Sequence, residues 1–278
     1  MITKKVGSLD LPMLGFGTFQ MRGDVCVSAV MCALSEGFRL IDTAAAYGNE
    51  EAVGAAVRKS AVPRGDIFIT TKVNFSSYEN ARASVENSLR LLGTDYLDLV
   101  LLHWPFGNYY AAWRTLGDMK KEGKIREIGV SNFDPDRLID LSHFNSETPV
   151  INQTETHLYC QRIKEHTYES ALGVAHEAYA PLGQSRANEM FDEPAVRAIA
   201  ERTGKTPAQV LLRFLIDSGV IAIPKSAHPE RIRENIGISV SDISLTEQEL
   251  AALRSLDRAS PMIGRAEDPE FAKIAVTW

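Results

Sequence analysis

The chain has 278 residues, of which 45% are hydrophobic and 24% are charged. That length can bury a large core, either as one α/β barrel or as two ordinary domains. The net charge of -6 argues against nucleic acid or an anionic membrane as the main partner.

The start of the chain, "MITKKVGSLDLP", lacks the apolar core of a signal peptide. No apolar stretch approaches the roughly 20 residues that a membrane span needs. Cys26, Cys32 and Cys160 have neither disulfide nor metal-site spacing, which is typical of free thiols in a reducing compartment. We therefore expect a cytoplasmic protein with no membrane partner and no metal.

In chain order, the first predicted element is a small β-hairpin that turns at Gly7-Ser8. Short runs rich in Val, Ile and Leu follow, as expected of strands buried on both faces. These eight strand candidates are 13–19, 39–44, 67–73, 96–103, 126–132, 150–155, 174–180 and 220–226.

Helical segments lie between the strands, and several have recognisable starts. They are Asp24 as the cap of 25–36, Pro135 in the first turn of 135–144, Pro207 in the first turn of 207–217, and Thr246 with Glu249 as a capping box.

The alternation of strands and helices predicts an α/β fold, a closed (β/α)8 TIM barrel with an N-terminal hairpin. An open doubly wound sheet is the competing architecture, and it requires a G-x-G-x-x-G turn after an early strand. "GFGTFQ" (15–20) has the first two glycines and lacks the third, which favours the barrel. Because no linker or composition shift divides the chain, we expect residues 1–278 to form a single domain.

Polar residues stand at or near the ends of the predicted strands. In a barrel these ends meet in one bowl, where active sites form. Taken alone, each such residue is more often solvated or structural than functional, and only their joint placement favours a site. The residues are Asp42, Tyr47, Lys72, His103, Asn132, Gln153, Glu155, Tyr179 and Lys225.

Four of these residues form a coherent chemical group. Tyrosine has a pKa of about 10, too high for easy proton exchange near neutral pH. A cation such as Lys72 would stabilise the phenolate of Tyr47 and lower that pKa, and Asp42 would hold Lys72 charged. His103 could hydrogen-bond the phenol or a substrate oxygen. The group therefore predicts a tuned phenolic acid/base facing a pocket.

Other chemistries fit less well. Glu155 and Asp98 could form a glycosidase pair, but Asp98 lies well before the end of its strand. His103 and His157 could bind a metal, but no H-x-H or H-E-x-x-H spacing is present.

The sequence resembles the aldo-keto reductases over nearly its whole length. The matching segments occur in the family's order and spacing, and as a set they are highly specific. They are "LGFGTF", "IDTAAAYGNEEAVG", "TTKV", "DYLDLVLLHWP", "IREIGVSNF", "NQTETH", "YAPLGQ" and "IPKSAHPERIRENI". The resemblance implies that Tyr47 is the proton donor, that Lys72 and Asp42 tune it, and that His103 orients a carbonyl. It also implies NADPH as cofactor, a small-molecule carbonyl substrate and a monomer.

By the same resemblance, the cofactor contacts extend along the bowl. Thr18 and Asp42 lie near the nicotinamide ribose; Ser131, Asn132 and Gln153 hold the carboxamide; Tyr179 stacks on the ring; Leu182, Gly183, Gln184 and Ser185 pass over the pyrophosphate; Lys225, Ser226 and Arg231 meet the 2′-phosphate; and Glu234 and Asn235 meet the adenine. The predicted substrate contacts are Phe19, Asn74, His103 and Trp104, and the loop 106–113 is expected to help shape the pocket.

A helix N-terminus and an Arg fork both favour phosphate oxygens, which agrees with a phosphate site at Lys225, Ser226 and Arg231. Without the resemblance, a solvated charged helix would be the preferred interpretation of this segment.

Three positions depart from the family's usual residues. Ala180 stands for Ser, Asn74 for Trp and Leu158 for Pro, and none belongs to the catalytic four. The tail after Asp257 is short, so we expect the long C-terminal specificity loop to be absent. The pattern is closest to short bacterial and protozoal members such as the diketogluconate reductases and prostaglandin F synthase-like enzymes.

The function predicted from the sequence is NADPH-dependent reduction of aldehydes or ketones, including keto-sugars, to alcohols. The alternative is a catalytically retired NADPH-binding regulatory or structural protein, since fold alone does not fix function. The intact group of four weighs against that alternative.

Overall fold

The computed structural model describes residues 1–240 and 243–277. The chain begins with the predicted hairpin, in which strand β1 (Thr3–Val6) pairs antiparallel with β2 (Leu9–Pro12). Gly7 turns it with a φ of 57°, a left-handed conformation that suits glycine. The next amide, Ser8 N, donates to Glu127 Oε1 at 2.6 Å. This contact fastens the hairpin to the body of the protein.

Within the described ranges, eight parallel strands follow one another around a single sheet in chain order. Backbone hydrogen bonds join its two edges: Gly15 N donates to Ala222 O at 2.9 Å, and Gly17 N donates to Pro224 O at 3.0 Å. The sheet is therefore a closed barrel, as predicted. Its strands are β3 (Phe16–Gly17), β4 (Leu40–Asp42), β5 (Phe68–Val73), β6 (Leu97–Leu102), β7 (Ile125–Ser131), β8 (Ile151–Glu155), β9 (Ala175–Tyr179) and β10 (Ile221–Ala222). Seven of them lie within the predicted runs, and β7 begins at Ile125, one residue before the predicted run 126–132.

Helices surround the barrel, and those before β10 connect successive strands. They are α1 (Gly23–Ser35), α2 (Glu50–Lys59), α3 (Ala81–Leu92), α4 (Tyr109–Lys121), α5 (Pro135–His143), α6 (Ile163–Ala171), α7 (Ala187–Phe191), α8 (Pro194–Thr203), α9 (Pro207–Asp217), α10 (Pro229–Ile236), α11 (Glu247–Arg254) and α12 (Pro269–Ala275). Strands lie between this layer and the barrel interior, so side chains on both strand faces are buried; all six residues of β6 are. Side chains that alternate along a strand point alternately into the barrel and toward the helices.

Most of the predicted helix starts are confirmed. Pro135 and Pro207 occupy the first turns of their helices, and Thr246 forms the expected capping box with Glu249. Asp24 is not the cap of α1, which begins at Gly23 and leaves Asp24 inside the first turn. A carboxylate is favourable there as well, because the helix N-terminus carries partial positive charge.

Among residues 1–240 and 243–277, no helix combines the length and the apolar composition that a membrane crossing requires.

Candidate active site

A cavity of about 1000 Å³ opens at the C-terminal ends of the barrel strands. It contains most of the residues that the sequence assigned to the site. Those that line it are Phe19, Asp42, Tyr47, Asn74, His103, Trp104, Ser131, Asn132, Gln153, Tyr179, Leu182, Gln184, Ser185, Lys225, Ser226, Arg231, Glu234 and Asn235. Thr18, Lys72 and Gly183 are not in the lining. Thr18 and Lys72 are buried just behind it, and Gly183 directly precedes Gln184.

The turn after β4 brings the acid Asp42 and the phenol of Tyr47, which are close in sequence, to the same cavity. Asp42 ends the strand, and a 3-10 turn, Ala45–Tyr47, lifts Tyr47 onto the cavity wall before Gly48 reverses the chain with a φ of 63°. The buried Asn49 side chain fixes this turn: its Oδ1 accepts from Thr43 Oγ1 at 2.7 Å, and its Nδ2 donates to Thr18 O at 2.9 Å. Strand, turn and helix start thus form one rigid platform.

Lys72 and Asp42 form a buried ion pair beside this platform. Lys72 Nζ lies 2.7 Å from both carboxylate oxygens of Asp42 and also donates to Thr43 O at 2.9 Å. Both residues are at most 2% exposed. Burial is the largest influence on the pKa of Lys72 and lowers it, but the charge of Asp42, the hydrogen bond to Asp42 and the charges of Tyr47 and Glu177 together outweigh it, and the net pKa is raised. Lys72 is therefore held as a cation.

The Lys72 ammonium is also close to the phenol, with Nζ 3.5 Å from Tyr47 Oη. Burial raises the pKa of Tyr47, and the charge of Lys72 opposes that rise without cancelling it. The expectation that Lys72 lowers the pKa is correct for its own influence, but the net direction is upward. The phenol is therefore protonated at neutral pH, the state required of a proton donor.

His103 follows β6 and faces Tyr47, with ring centroids 5.9 Å apart at 71°. Burial, and then the charge of Lys72, lower the pKa of His103 to about 3. Its buried Nδ1 has no hydrogen-bond partner among the described residues. A neutral imidazole at this position can hydrogen-bond a substrate oxygen and carries no competing charge.

A chain of hydrogen bonds joins the residues that the sequence predicts to hold the nicotinamide carboxamide. Tyr179 Oη donates to Asn132 Oδ1 at 2.9 Å, and Asn132 Nδ2 donates to His103 O and Ser131 Oγ, each at 3.1 Å. Ser131 Oγ in turn donates to Gln153 O at 2.8 Å. The polar ends of β6, β7, β8 and β9 are therefore held in one network.

Strained backbone concentrates at the cavity. Of the six non-glycine residues with positive φ in the described ranges, four line it: Gln20, Asn132, Ala180 and Gln184. Such conformations are costly and cluster at functional sites. Their φ values lie between 44° and 63°. Ala180, where the family usually has Ser, keeps this geometry but supplies no hydroxyl.

The far end of the cavity is basic. Lys225 and Ser226 precede α10, and Arg231 lies in its first turns. In the described part of the chain neither Lys225 nor Arg231 forms an ion pair, whereas Arg233 on the same helix is bound to Glu36 at 2.8 Å. Two unneutralised cations beside a helix N-terminus suit a phosphate group.

Aromatic side chains form the end nearest Tyr47. Phe19, Phe75 and Trp104 line it together with Asn74, and Phe75 could not be assigned from the sequence. Residues 106–113 are not in the lining. Phe106 instead supports it from behind, with its ring parallel to Trp104 at 5.8 Å and edge-on to Phe75 at 5.7 Å.

The C-terminal segment also reaches the cavity, through Ile263. Glu155 at the end of β8 anchors it by accepting backbone hydrogen bonds from Met262 and Ile263, and it also contacts His157 at 3.0 Å. The other member of the possible glycosidase pair, Asp98, is bound by arginines outside the cavity. The segment after Asp257 thus contributes a wall to the cavity. No periodicity or motif in the sequence marked Ile263.

Comparison with known proteins agrees with this geometry. Residues 13–258 match the Aldo/keto reductase family. A Mycolicibacterium vanbaalenii aldo-keto reductase is 40% identical over 255 residues, which cover 90% of each protein. Methylglyoxal reductase DkgA of Escherichia coli K12 is 40% identical over 251 residues, covering 89% of this chain and 90% of that protein.

Solved structures give the same result. The aldo-keto reductase MGS-M4, from a deep-sea metagenome library, superposes with a TM-score of 0.91 at 36% identity, covering 94% of this chain and 96% of that one. A Bombyx mori aldo-keto reductase solved in complex with NADP gives a TM-score of 0.87 at 30% identity, covering 96% and 95%. With sequence, barrel and cavity all in agreement, this chain belongs to the aldo/keto reductase family.

Proposed function

We propose that this chain is an NADPH-dependent carbonyl reductase that converts small aldehydes or ketones to alcohols. Family membership supports an oxidoreductase with a nicotinamide cofactor. The observation that carries the proposal is the placement of Tyr47 on the cavity wall, 3.5 Å from an ammonium that a buried carboxylate holds charged.

The cavity fits the cofactor in size and in the order of its groups. It is long enough to connect the Tyr47 end to the Lys225 and Arg231 end, and Tyr179 and Asn132 lie between them. The unpaired cations match a 2′-phosphate, the group that distinguishes NADPH from NADH. Bound there, NADPH would supply the hydride for reduction.

The catalytic work of the protein is then positioning and proton transfer. His103, neutral and facing Tyr47, orients the carbonyl oxygen by a hydrogen bond. Tyr47 donates its phenolic proton to that oxygen as negative charge develops. Lys72 stabilises the phenolate that remains, and Asp42 keeps Lys72 charged and fixed. The aromatic wall excludes water from the reacting centre.

The lining also points to an uncharged substrate. Near Tyr47 it contains aromatic side chains, the neutral His103 and the amides of Asn74 and Gln20, and the charge of Asp42 is already paired with Lys72. The lysine and arginine in the lining, Lys225 and Arg231, belong to the opposite end. A substrate carboxylate would therefore lose hydration without gaining an ion pair, which is unfavourable. Methylglyoxal, named in the description of the relative DkgA, is a small uncharged carbonyl and agrees with this substrate class, whereas a diketogluconate carries a carboxylate and does not.

The test is the loss of NADPH absorbance with methylglyoxal, a neutral aromatic aldehyde and the keto-acid pyruvate. We expect turnover of the neutral compounds, with kcat/KM at least about tenfold above that for pyruvate, equivalent to roughly 1.4 kcal/mol of differential binding. Preference for pyruvate would contradict the substrate class. Tight NADPH binding with no turnover of any carbonyl would support a retired binding protein and overturn the proposed function.

A further inference from the structure

A second carboxyl lies inside the barrel, beneath the catalytic group. Glu177 is on β9, level with Gln153 of β8, and its side chain is fully buried. It is two residues before Tyr179 on the same strand, so the two side chains share the inward face. The proton transfer described above does not use it.

Gln153 connects this carboxyl to the catalytic group. Its Nε2 donates to Asp42 Oδ2 at 2.8 Å and to Glu177 Oε2 at 2.7 Å. A primary amide nitrogen has two hydrogens, so both are used in this bridge. Gln153 therefore offers a bound cofactor only its carbonyl oxygen, and its orientation depends on Glu177.

The charges around Glu177 do not favour its ionised form. Asp42 and Lys72 already neutralise each other, and they are the charged groups that act on Glu177. On its other side, β10 contributes Ile221 and Ala222, which do not titrate. Among the described residues, none donates a hydrogen bond to Glu177 Oε1. A buried carboxylate with a free oxygen and no cation of its own is costly.

We infer that Glu177 is a positioning residue that stays protonated during catalysis, holding Asp42 through Gln153 and limiting activity at alkaline pH when it ionises. This inference rests on the proposed reductase function. It is supported by burial and the nearby charge of Asp42, which raise the pKa of Glu177 to about 8.

Ionisation of Glu177 would act on Tyr47 through charge. Burial is the main cause of the raised pKa of Tyr47, and negative charge on Glu177 raises it further. The phenol then becomes a weaker acid, and proton donation slows. Glu177 therefore acts on the reaction through other residues and needs no contact with the substrate.

The variant Glu177→Gln mimics the protonated carboxyl, because it is neutral, isosteric and still able to accept from Gln153. Glu50→Gln is the matched control. Glu50 is also buried with a raised pKa, caused mainly by burial, but it binds Thr71 on the outer face of β5. Glu50 is not among the main influences on the pKa of either Lys72 or Tyr47.

Two measurements test the inference. Infrared difference spectra of wild type minus Glu177→Gln should contain the C=O stretch of a protonated carboxyl at pH 7, and it should disappear as the pH rises through about 8. For reduction, kcat of wild type should fall over the same range. In Glu177→Gln this fall should move up by at least about one pH unit, whereas Glu50→Gln should keep the wild-type profile.

The inference is overturned if the band is missing at pH 7, or if Glu177→Gln and wild type share one pH profile. If Glu177→Gln does not fold, the infrared band is titrated in wild type and in Glu50→Gln. Loss of the band near pH 8 in both proteins supports the inference, and absence of the band at pH 7 overturns it. If no carbonyl is reduced by wild type, the proposed function fails, and the infrared result still decides the protonation of Glu177.

Discussion

The charged residues at the two ends of the cavity differ in burial and in pairing. At the catalytic end, Lys72 and Asp42 are buried and paired at 2.7 Å, and each depends on the other. At the other end, around Lys225 and Arg231, which we propose binds the cofactor phosphate and call the phosphate end, both cations are exposed and lack ion pairs within the described residues. A buried charge is coupled strongly to its neighbours, whereas an exposed one is hydrated and screened by salt.

Because of this difference, the residues at the two ends should influence different measurable properties. The catalytic end has its charges arranged before any ligand arrives, so its residues should influence rate, pH dependence and stability. The cations of the phosphate end are free to take a ligand, so they should influence cofactor affinity and salt dependence. Substitutions at the two ends should therefore be distinguishable by which quantity they change.

The largest effect is expected for Tyr47→Phe. Removing the proton donor should lower kcat for reduction by about 10²–10⁴-fold, the usual contribution of general acid catalysis. NADPH affinity, measured by quenching of protein fluorescence, should remain close to wild type because Phe preserves the ring. A variant retaining more than about a third of wild-type kcat would contradict the assignment. Tyr78→Phe, which loses a buried hydroxyl bound to Trp104 O outside the group of four, is the control.

Lys72→Met should affect both rate and folding. Asp42 would remain buried without its cation, a change that typically costs about 3–5 kcal/mol of stability. We expect a lower kcat, a changed pH–rate profile and a lower unfolding midpoint in urea. Lys121→Met is the matched control, since Lys121 pairs with Asp118 at the surface, where the two side chains are 69% and 61% exposed and such pairs contribute about 1 kcal/mol or less. Equal losses in the two variants would mean that the pair of Lys72 and Asp42 is no different from a surface ion pair.

The barrel and the four catalytic candidates could be predicted because strand periodicity and strand ends are local features of the sequence. Apolar runs identified the strands, and the polar residues ending them had to meet in one bowl. The bridge from Asp42 through Gln153 to Glu177 could not be predicted, since it depends on the register of strands far apart in sequence. The net rise in the pKa of Tyr47 depends on packing density, which no motif encodes. Ile263 reaches the cavity through a contact that is equally distant in sequence, the anchoring of the tail by Glu155.

At the phosphate end, Arg231→Ala should weaken NADPH binding by at least about tenfold, since charge-assisted hydrogen bonds contribute roughly 1.5–3 kcal/mol each. NADH binding should hardly change. The NADPH preference of wild type should also fall as salt increases. Arg233→Ala is a close control, because Arg233 lies on the same helix but is already paired with Glu36. Equal losses for both cofactors would place Arg231 away from the 2′-phosphate, and a wild type that prefers NADH would overturn the cofactor assignment.

The smallest effect concerns the pH dependence of stability at the catalytic end. Burial holds the pKa of His103 at about 3 in the folded protein, whereas an unfolded histidine titrates near 6.5. Between these values the unfolded state binds more protons, so the free energy of unfolding should fall as the pH decreases below about 6.5. His103→Gln should reduce that slope by a fraction of the roughly 1.4 kcal/mol per pH unit that one proton contributes. Urea titrations from pH 4 to 7 measure it, with His228→Gln, whose side chain is 62% exposed at the phosphate end, as control. An equal reduction of the slope in both variants would mean that removing the exposed histidine changes the pH dependence of stability as much as removing the buried one. The two ends of the cavity would then not differ in how strongly their histidines link stability to proton binding.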